Sequence, residues 1–245
     1  MAEEITSAEL VRNGTMSAEM AATLWAAVDE QRSFLTVAIP RFAGKSTLSN
    51  ALLALRPPDV PLQYVDGAPE LMDRLQRERL GGYLVVAEFS QAPVPGYIWG
   101  EPVRRVFETV GAGYSLQAAL HAPGVDEAIA VLTDENGVSD ELASAFDLVL
   151  YIERFGDDLE HYWRRLAVVY EVDRVEDGRP RGRTLFRWHA EDDRFEAVEP
   201  PRHFATDRDE IDVRTAVFAQ LARSGKTSES DVSAAVGAFR AERGG

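Results

Sequence analysis

The segment Gly44-Lys45-Ser46-Thr47 constrains the fold of this chain most strongly, because of what stands on each side of it. The apolar run at 34–39 before it predicts a buried strand, and the run at 48–55 after it is typical of a helix. A strand, a tight loop and a helix N-terminus together make a phosphate-binding site, in which loop N–H groups point at the anion. We therefore predict that Lys45 neutralises phosphate charge and that the Ser46 hydroxyl holds Mg²⁺.

The loop departs from the full phosphate-loop pattern at its first position. That pattern is G-x-x-x-x-G-K-[ST], and Ile39 stands where the first glycine belongs. Glycine serves there because the backbone turns tightly and comes close to the phosphates, whereas a β-branched residue suits such dihedral angles poorly. The alternative interpretation is a strand–turn–helix unit in which Lys45 is merely solvated.

A second glycine–lysine pair, Gly225-Lys226-Thr227, has a different context and serves as a comparison. The residues before it, 213–222, have the periodicity of a helix and not of a strand. We predict that Gly225 ends that helix as a C-terminal cap and that Thr227 or Ser228 caps the next helix. This second segment is therefore not expected to bind phosphate.

Composition limits the classes of function. The chain has 245 residues, 45% of them hydrophobic and 27% charged, which suits one large α/β domain or one domain plus small appendages. A formal net charge of -15 disfavours binding to nucleic acid or to anionic lipid head groups. The absence of cysteine excludes disulfides and thiolate metal sites, and four scattered histidines argue against zinc. Without a membrane-length apolar run or a signal-peptide pattern, we expect a cytoplasmic protein.

Strand-like and helix-like runs alternate along the chain, which predicts an α/β fold with a mostly parallel sheet covered on both faces. The predicted strands lie near 34–39, 62–65, 83–88, 114–120 and 147–152. The predicted helices between them lie near 45–55, 69–79, 101–110, 125–133 and 139–146.

The pattern of predicted elements changes beyond about residue 163. Runs at 166–172, 183–188 and 195–198 read as strands separated by turn clusters, which predicts an antiparallel hairpin extension of the sheet. Two terminal helices are expected at 207–223 and 229–242. We divide the chain into an N-terminal helical lead-in at 1–32, an α/β domain at 33–205 and a C-terminal helical segment at 206–245.

Carboxylates and a histidine follow the predicted strands, at the sheet edge where ligands bind in open α/β folds. Glu88 ends the apolar strand at 83–88. In P-loop proteins such a strand lies beside the P-loop strand, and its terminal acid orients metal-bound or attacking water. Asp66 follows the second strand, and His121 follows the strand at 114–120. Each residue also has a purely structural alternative. Glu88 could be a surface acid at a strand end, Asp66 a residue at a helix start, and His121 an imidazole whose hydrogen bonds are all structural.

Four segments, in this order, resemble the boxes of the secretion ATPase family of type II and type IV secretion systems and type IV pilus motors. They are 39–47 for the Walker A box, 65–71 for the Asp box, 85–88 for the Walker B strand and 112–122 for the His box. The resemblance covers about residues 6–205 and is most specific at the His box. It implies a RecA-like P-loop NTPase domain at 33–205.

This resemblance also implies ATP and Mg²⁺ as cofactors and assigns expected roles. Gly44-Lys45-Ser46-Thr47 would bind the nucleotide, with Ser46 on Mg²⁺. Glu88 would position the attacking water, Asp66 would support the metal or the water, and His121 would contact the γ-phosphate or relay its loss to a neighbouring subunit. The implied partners are further copies in a hexameric ring or a paralogous ATPase, together with inner-membrane secretion or pilus components. The expected location is therefore the cytoplasm, with a peripheral position at the inner face of the membrane as the alternative.

The chain departs from the family pattern at several positions. Ile39 and Phe42 replace usual glycines, Ala87 replaces the glycine before the Walker B glutamate, and Tyr114 replaces the first His-box histidine. Asp66 is one methylene shorter than the usual catalytic glutamate. The arginines between the Asp box and Walker B, where the family places phosphate-contacting arginines, are Arg74, Arg77 and Arg79.

Three interpretations follow from these matches and departures. The first is an active ATPase, because Lys45, Ser46, Glu88 and His121 are all kept. The second is a degenerate, catalytically inactive scaffold or regulatory subunit beside an active paralogous ATPase, because lost loop glycines remove close backbone contacts to phosphate and each lost donor of that kind costs about 100- to 1000-fold in rate. The third is an unrelated α/β binding protein.

Overall fold

A mixed β-sheet forms the centre of the computed structural model of the protein. The structure describes residues 5–39, 42–156 and 162–243 of the 245. The strands of its parallel part are β1 (Phe34–Val37), β2 (Leu62–Tyr64), β3 (Tyr83–Val85), β4 (Glu88–Phe89), β5 (Tyr97–Ile98), β6 (Ser115–Leu120) and β7 (Leu148–Phe155). They pair in the order β7–β1–β6–β3–β2, with β4 joined to β5 and β6, and all of these pairs are parallel. The predicted mostly parallel sheet is confirmed.

An antiparallel extension continues the sheet beyond β7. It consists of β8 (Trp163–Glu176), β9 (Arg179–His189) and β10 (Arg194–Ala197), each antiparallel to the strand before it. Asp177 and Gly178 connect β8 to β9 with φ angles of 54° and 69°. Two successive positive φ angles characterise the two-residue hairpin turn for which Asp-Gly is favoured. The predicted hairpin extension is therefore confirmed.

The position of β6 corrects one prediction about the sheet. We expected the strand that leads to Glu88 to lie beside β1, but β6 lies between β1 and β3. The chain compensates beyond β3, because Val86 donates to the Gln117 carbonyl at 2.9 Å and Phe89 of β4 pairs with Leu120 of β6. Strand β6 therefore separates the strand that leads to Glu88 from β1.

Helices cover both faces of the sheet. They are α1 (Ser7–Arg12), α2 (Ala18–Asp29), α3 (Lys45–Leu53), α4 (Pro69–Glu78), α5 (Glu101–Val110), α6 (Val125–Ala130) with a π-helical turn at Val131–Glu135, α7 (Asp140–Ala143), α8 (Arg208–Ser224) and α9 (Glu229–Arg243). One hydrophobic cluster joins one sheet face to α1, α2, α3, α8 and α9, and a second joins the other face to α4–α7. None of the described helices is long and apolar enough to cross a membrane.

The two terminal helical segments pack against each other. Trp25 of α2 is fully buried, with its ring centroid 5.9 Å from that of Phe218 in α8 and 4.7 Å from that of Phe239 in α9. The Arg214 guanidinium lies 4.4 Å from the Trp25 ring centroid and pairs with Asp29 at 2.6 Å. The lead-in and the C-terminal helices thus form one layer on the sheet, while the boundaries at 1–32, 33–205 and 206–245 stay predictions.

The Gly225-Lys226-Thr227 segment connects α8 to α9, as the helical context predicted. Gly225 caps α8 with a left-handed φ of 68°. The Ser228 hydroxyl accepts a hydrogen bond from the Asp231 N–H at 3.2 Å at the start of α9. The second glycine–lysine pair is therefore a helix–helix connection and not a strand–loop–helix unit.

Candidate functional site

The loop between β1 and α3 ends in the strand–loop–helix geometry that the sequence predicts. Gly44 is the N-cap of α3 with a left-handed φ of 97°, and the helix begins at Lys45. No side chain among the described residues caps this helix start. The first N–H groups of α3 therefore remain available for an anion.

Backbone strain in this loop falls on Phe42 and not on Ile39. Phe42 has a φ of 62°, a left-handed conformation that costs a residue other than glycine about 1–2 kcal/mol. Ile39 is absent from the described residues with positive φ, so the strain expected there does not arise. The loop thus keeps glycine-like backbone at position 42 although the side chain is phenylalanine. Pro40 and Arg41 lie outside the described residues.

Lys45, Glu88 and His121 come together at the carboxyl ends of β1, β3 and β6. The Lys45 Nζ lies 3.2 Å from Glu88 Oε2 and 3.0 Å from His121 Nε2. His121 Nε2 lies 3.1 Å from Glu88 Oε1. The Lys45 and Glu88 side chains are 8% and 7% exposed, while His121 is 34% exposed. We call these three residues the lysine–glutamate–histidine cluster.

Both ring nitrogens of His121 have partners. Nδ1 lies 2.9 Å from the Ile39 carbonyl oxygen and 3.1 Å from that of Ala38, which favours a proton on Nδ1. The Lys45 Nζ lies 3.2 Å from Nδ1 and 3.0 Å from Nε2. With the proton on Nδ1, Nε2 accepts from Lys45, and Glu88 Oε1 is then buried without a hydrogen-bond partner among the described residues. His121 thus joins the start of the loop to its lysine.

Burial sets the electrostatics of the cluster. Removal from solvent lowers the pKa of Lys45 below its ordinary value of 10.5, and attraction to Glu88 offsets part of this effect. A buried ammonium that is held mainly by one carboxylate has a strong attraction for any further anion that reaches it. The cluster therefore favours an anionic ligand beside Lys45.

A cavity of about 550 Å³ opens over the cluster. Its lining includes Gly44, Ser46 and all three residues of the lysine–glutamate–histidine cluster. This volume falls within the roughly 300–1,000 Å³ of small-molecule sites. Ser46 is exposed to the cavity, so its hydroxyl is accessible to a metal ion.

Two polar residues of the cavity floor were not predicted. The Gln117 side chain donates to Ser49 Oγ at 2.9 Å, and that hydroxyl shares a 2.9 Å hydrogen bond with Thr36 Oγ1. Gln117 and Ser49 are buried and line the cavity. The signal in the sequence was a glutamine inside the otherwise apolar strand β6, because a buried amide needs partners.

Asp66 and Thr47 do not join the cluster. The exposed Asp66 accepts from the Ala68 N–H at 3.0 Å and lines an adjoining cavity of about 260 Å³, which shares Tyr64, Val85 and Ala87 with the first. It follows β2, which is three strand positions and hence about 14 Å from β1. Thr47 lies in the first turn of α3 and is not among the residues that line the larger cavity.

These features suit a phosphate group with a divalent cation. The accessible helix start, the buried ammonium and the Ser46 hydroxyl supply donors for phosphate and one oxygen ligand for Mg²⁺. The unpartnered Glu88 Oε1 can accept a hydrogen bond from a water molecule in the cavity. The described fold is that of a mixed α/β protein with a strand–loop–helix unit beside its larger cavity.

Comparison with known proteins gives partial matches. No protein-family model matches the chain. It is 28% identical over 147 residues to the uncharacterized protein MJ1287 of Methanocaldococcus jannaschii, covering 52% of this chain and 53% of that protein. The chain thus spans about half the length of the curated relative it matches.

Two solved structures of ATPases are similar to the chain. The VirB11 ATPase of the Brucella suis type IV secretion system superposes with a TM-score of 0.42 at 17% identity, covering 59% of this chain and 52% of that one. The ATPase DotB of Legionella pneumophila superposes with a TM-score of 0.42 at 14% identity, covering 82% and 55%. Both superpositions are partial and both identities are low, so they establish neither the activity nor the partners of this chain.

Proposed function

We propose that this chain is an ATP-binding P-loop protein related to the secretion and pilus ATPases, with a RecA-like domain at 33–205. The observation that carries the proposal is the convergence of Lys45, Glu88 and His121 on one cavity. These are the Walker A lysine, the Walker B acid and the His-box histidine of the sequence resemblance. Segments separated by more than 30 residues of sequence thus supply one site, as a nucleotide site requires.

Each residue of the cluster has a chemical task in this proposal. Lys45 binds the β- and γ-phosphates, which compete with Glu88 for its ammonium because they carry more negative charge. The Ser46 hydroxyl is a ligand of Mg²⁺, which supplies charge neutralisation when bound. Glu88 Oε1 would accept a hydrogen bond from the attacking water and so orient it. Asp66 would support the metal or the water from the adjoining cavity.

His121 is proposed to sense the γ-phosphate. Its Nδ1–H holds the Ile39 carbonyl at the start of the loop, while Nε2 contacts Lys45. A γ-phosphate that drew the Lys45 ammonium away would break its contact with His121 Nε2. The imidazole ring would then transmit this change through Nδ1 to the Ile39 carbonyl at the start of the loop. In a ring of subunits this connection would relay loss of the phosphate to a neighbour.

A second function is favoured by the side chains of the loop. Ile39 is 55% exposed and Phe42 is 68% exposed, and Phe42 borders the cavity where a glycine would leave room for a ligand. A catalytically inactive scaffold or regulatory subunit, acting beside an active paralogous ATPase, would tolerate this reduced space. The proposed assembly in either case is a homo-oligomer, of which a hexamer is one candidate form, or a mixed complex with the paralogous ATPase. Inner-membrane secretion or pilus components are the further proposed partners.

Calorimetric titration of ATP with Mg²⁺ into the purified chain tests the proposal. We expect micromolar binding that Lys45→Ala abolishes and that Lys226→Ala leaves unchanged, because the second lysine lies in a helix–helix connection. Circular dichroism at the assay temperature establishes that both variants are folded. Binding that survives in Lys45→Ala, or no binding by the wild type at millimolar ATP, contradicts the proposed site.

Turnover separates the two functions once binding is established. Phosphate release at saturating ATP that is lost in Glu88→Gln identifies an ATPase. Binding without phosphate release, in the chain alone and with the candidate paralogue added, identifies the scaffold or regulatory subunit.

A further inference from the structure

The larger cavity has a charged end and an uncharged end. Its charged side chains, Lys45 and Glu88, lie together beside His121 at the carboxyl ends of the strands. The rest of the described lining consists of aromatic, aliphatic, hydroxyl and amide side chains, among them Phe42, Asn50, Tyr64, Val85 and Gln117. A ligand that fills the cavity therefore needs an anionic end and a neutral end.

Three of the uncharged residues form one row across the sheet. Tyr64 of β2 pairs with Val85 of β3, and Val85 pairs with Gln117 of β6. All three line the cavity, and two strand spacings separate the ends of the row by about 10 Å. Gln117 precedes His121 by four residues, so the row lies about 13 Å along β6 from the charged end. We call these residues the Tyr64–Val85–Gln117 row.

Gln117 places a hydrogen-bond acceptor at one end of the row. Its Nε2 donates to Ser49 Oγ at 2.9 Å, which assigns the orientation of the amide. Within the ranges that the structure describes, this is the one hydrogen bond of the Gln117 side chain. The amide oxygen therefore remains for a ligand. Because Gln117 is only 3% exposed, leaving that oxygen without a partner in a filled cavity would cost free energy.

Tyr64 places an aromatic surface at the other end of the row. It is 72% exposed, and the exposed side chains of Phe42 and Val94 border the same cavity. Exposed apolar side chains that gather around one cavity are typical of a ligand-binding groove. Aromatic rings bind nucleic-acid bases by stacking, and amide side chains recognise the exocyclic amino group of adenine. The row thus combines the two kinds of contact that bases accept.

We propose that the Tyr64–Val85–Gln117 row binds the base of the nucleotide whose phosphates are held by Lys45, and that this base carries an exocyclic amino group, as adenine does. This inference rests on the proposed function. The base lies over Val85 against the Tyr64 ring and donates its amino N–H to Gln117 Oε1. A nucleotide has the layout that the cavity requires, with charge at one end and a flat, neutral ring at the other.

Titrations of ATP and of inorganic triphosphate, each with Mg²⁺, into the full chain and its variants test the stacking contact. The wild type should bind ATP about tenfold more tightly than triphosphate. Tyr64→Ala should lower the affinity for ATP about tenfold and leave the affinity for triphosphate unchanged, whereas Tyr64→Phe keeps the ring and should bind both as the wild type does. The matched control is Leu80→Ala, which removes a 56% exposed apolar side chain that does not line the cavity and should change neither affinity.

Purine riboside triphosphate, which lacks the amino group of adenine, tests the contact with Gln117. The wild type should bind it about tenfold more weakly than ATP, because one hydrogen bond is lost and a buried acceptor stays unpaired. Gln117→Met removes the acceptor at similar side-chain length and should bind the two nucleotides equally. Its affinity for inorganic triphosphate should equal that of the wild type, which establishes that the variant is folded and its phosphate end intact.

The failure of this inference differs from the failure of the proposed function. Equal affinity of the wild type for ATP and triphosphate, or wild-type affinity for ATP in both Tyr64→Ala and Gln117→Met, overturns the base site alone. A wild type that binds neither ATP nor triphosphate refutes the proposed function and this inference together.

Discussion

Removing one partner of the buried Lys45–Glu88 pair should destabilise the fold far more than removing both. Lys45→Met leaves the Glu88 carboxylate, 7% exposed, without its counter-ion, and Glu88→Gln leaves the Lys45 ammonium equally isolated. Breaking a buried pair in this way costs about 3–5 kcal/mol. Because the cavity admits water to the cluster, we expect the lower end, about 3 kcal/mol for each single variant.

The double variant Lys45→Met with Glu88→Gln removes both charges. Replacing a buried pair by uncharged side chains of similar size is often neutral, so the double variant should lie within about 1 kcal/mol of the wild type. The interaction energy of the cycle would then be about 5 kcal/mol, far outside the additive range of about 0.5 kcal/mol. His121 contacts both side chains, so the same cycle made in the His121→Ala background measures how much of the interaction energy depends on His121.

Urea unfolding followed by circular dichroism measures these free energies. In thermal unfolding, each single variant should lower the melting temperature by about 6–12 °C, since 1 kcal/mol corresponds to roughly 2–4 °C in a chain of this size. Equal slopes with urea for all four proteins establish that the variants share one unfolding transition. Single-variant losses that simply add in the double variant would refute the coupling and, with it, the description of Lys45 as held by Glu88.

Two further predictions concern pH and the terminal helices. The pKa of Lys45 is lower in the folded than in the unfolded state. Between the folded pKa and 10.5 the unfolded chain therefore binds more protons, and the free energy of unfolding rises with pH. In urea titrations across this pH window, Lys45→Met should lack that rise. Trp25→Ala should cost about 3–5 kcal/mol and leave ATP affinity unchanged, because it removes a fully buried ring from the layer of α2, α8 and α9. Trp25→Phe should cost less, since it keeps an aromatic ring and removes an indole N–H that has no described partner.

The sequence patterns predicted the elements of the fold better than their order in the sheet. Strand β6 and helix α5 lie within one residue of their predicted bounds, because long apolar runs and caps mark them. The two-residue strands β4 and β5 were not predicted, since no periodicity is visible over so short a length. Strand order depends on which way each crossover runs, and nothing local in 83–88 indicates that β6 intervenes beside β1.

The residues of the candidate site also differ in how well the sequence predicted them. Gly44 and Lys45 follow from one short segment, and Glu88 and His121 follow from their places after strands. Asp66 follows a strand in the same manner, but it lines the adjoining cavity and not the one over Lys45. Arg164 of β8 donates to the Phe42 carbonyl oxygen at 3.1 Å, and this contact was not predicted, because it joins residues 122 positions apart and no motif marks it.

Position 42, where the resemblance to the secretion ATPases would place a glycine, shows that the backbone geometry of a loop can be kept when the residue differs. Phosphate binding by a loop depends on where the backbone N–H groups point, and a left-handed φ at position 42 is kept in Phe42 at a cost of about 1–2 kcal/mol. The hydrogen bond from Arg164 Nη2 to the Phe42 carbonyl oxygen at 3.1 Å favours this conformation and offsets part of that strain. What the substitution changes is therefore the space at the mouth of the cavity, where the phenyl ring now stands. Loss of phosphate binding on replacing Phe42 by glycine would contradict this view, because glycine removes both the strain and the obstruction.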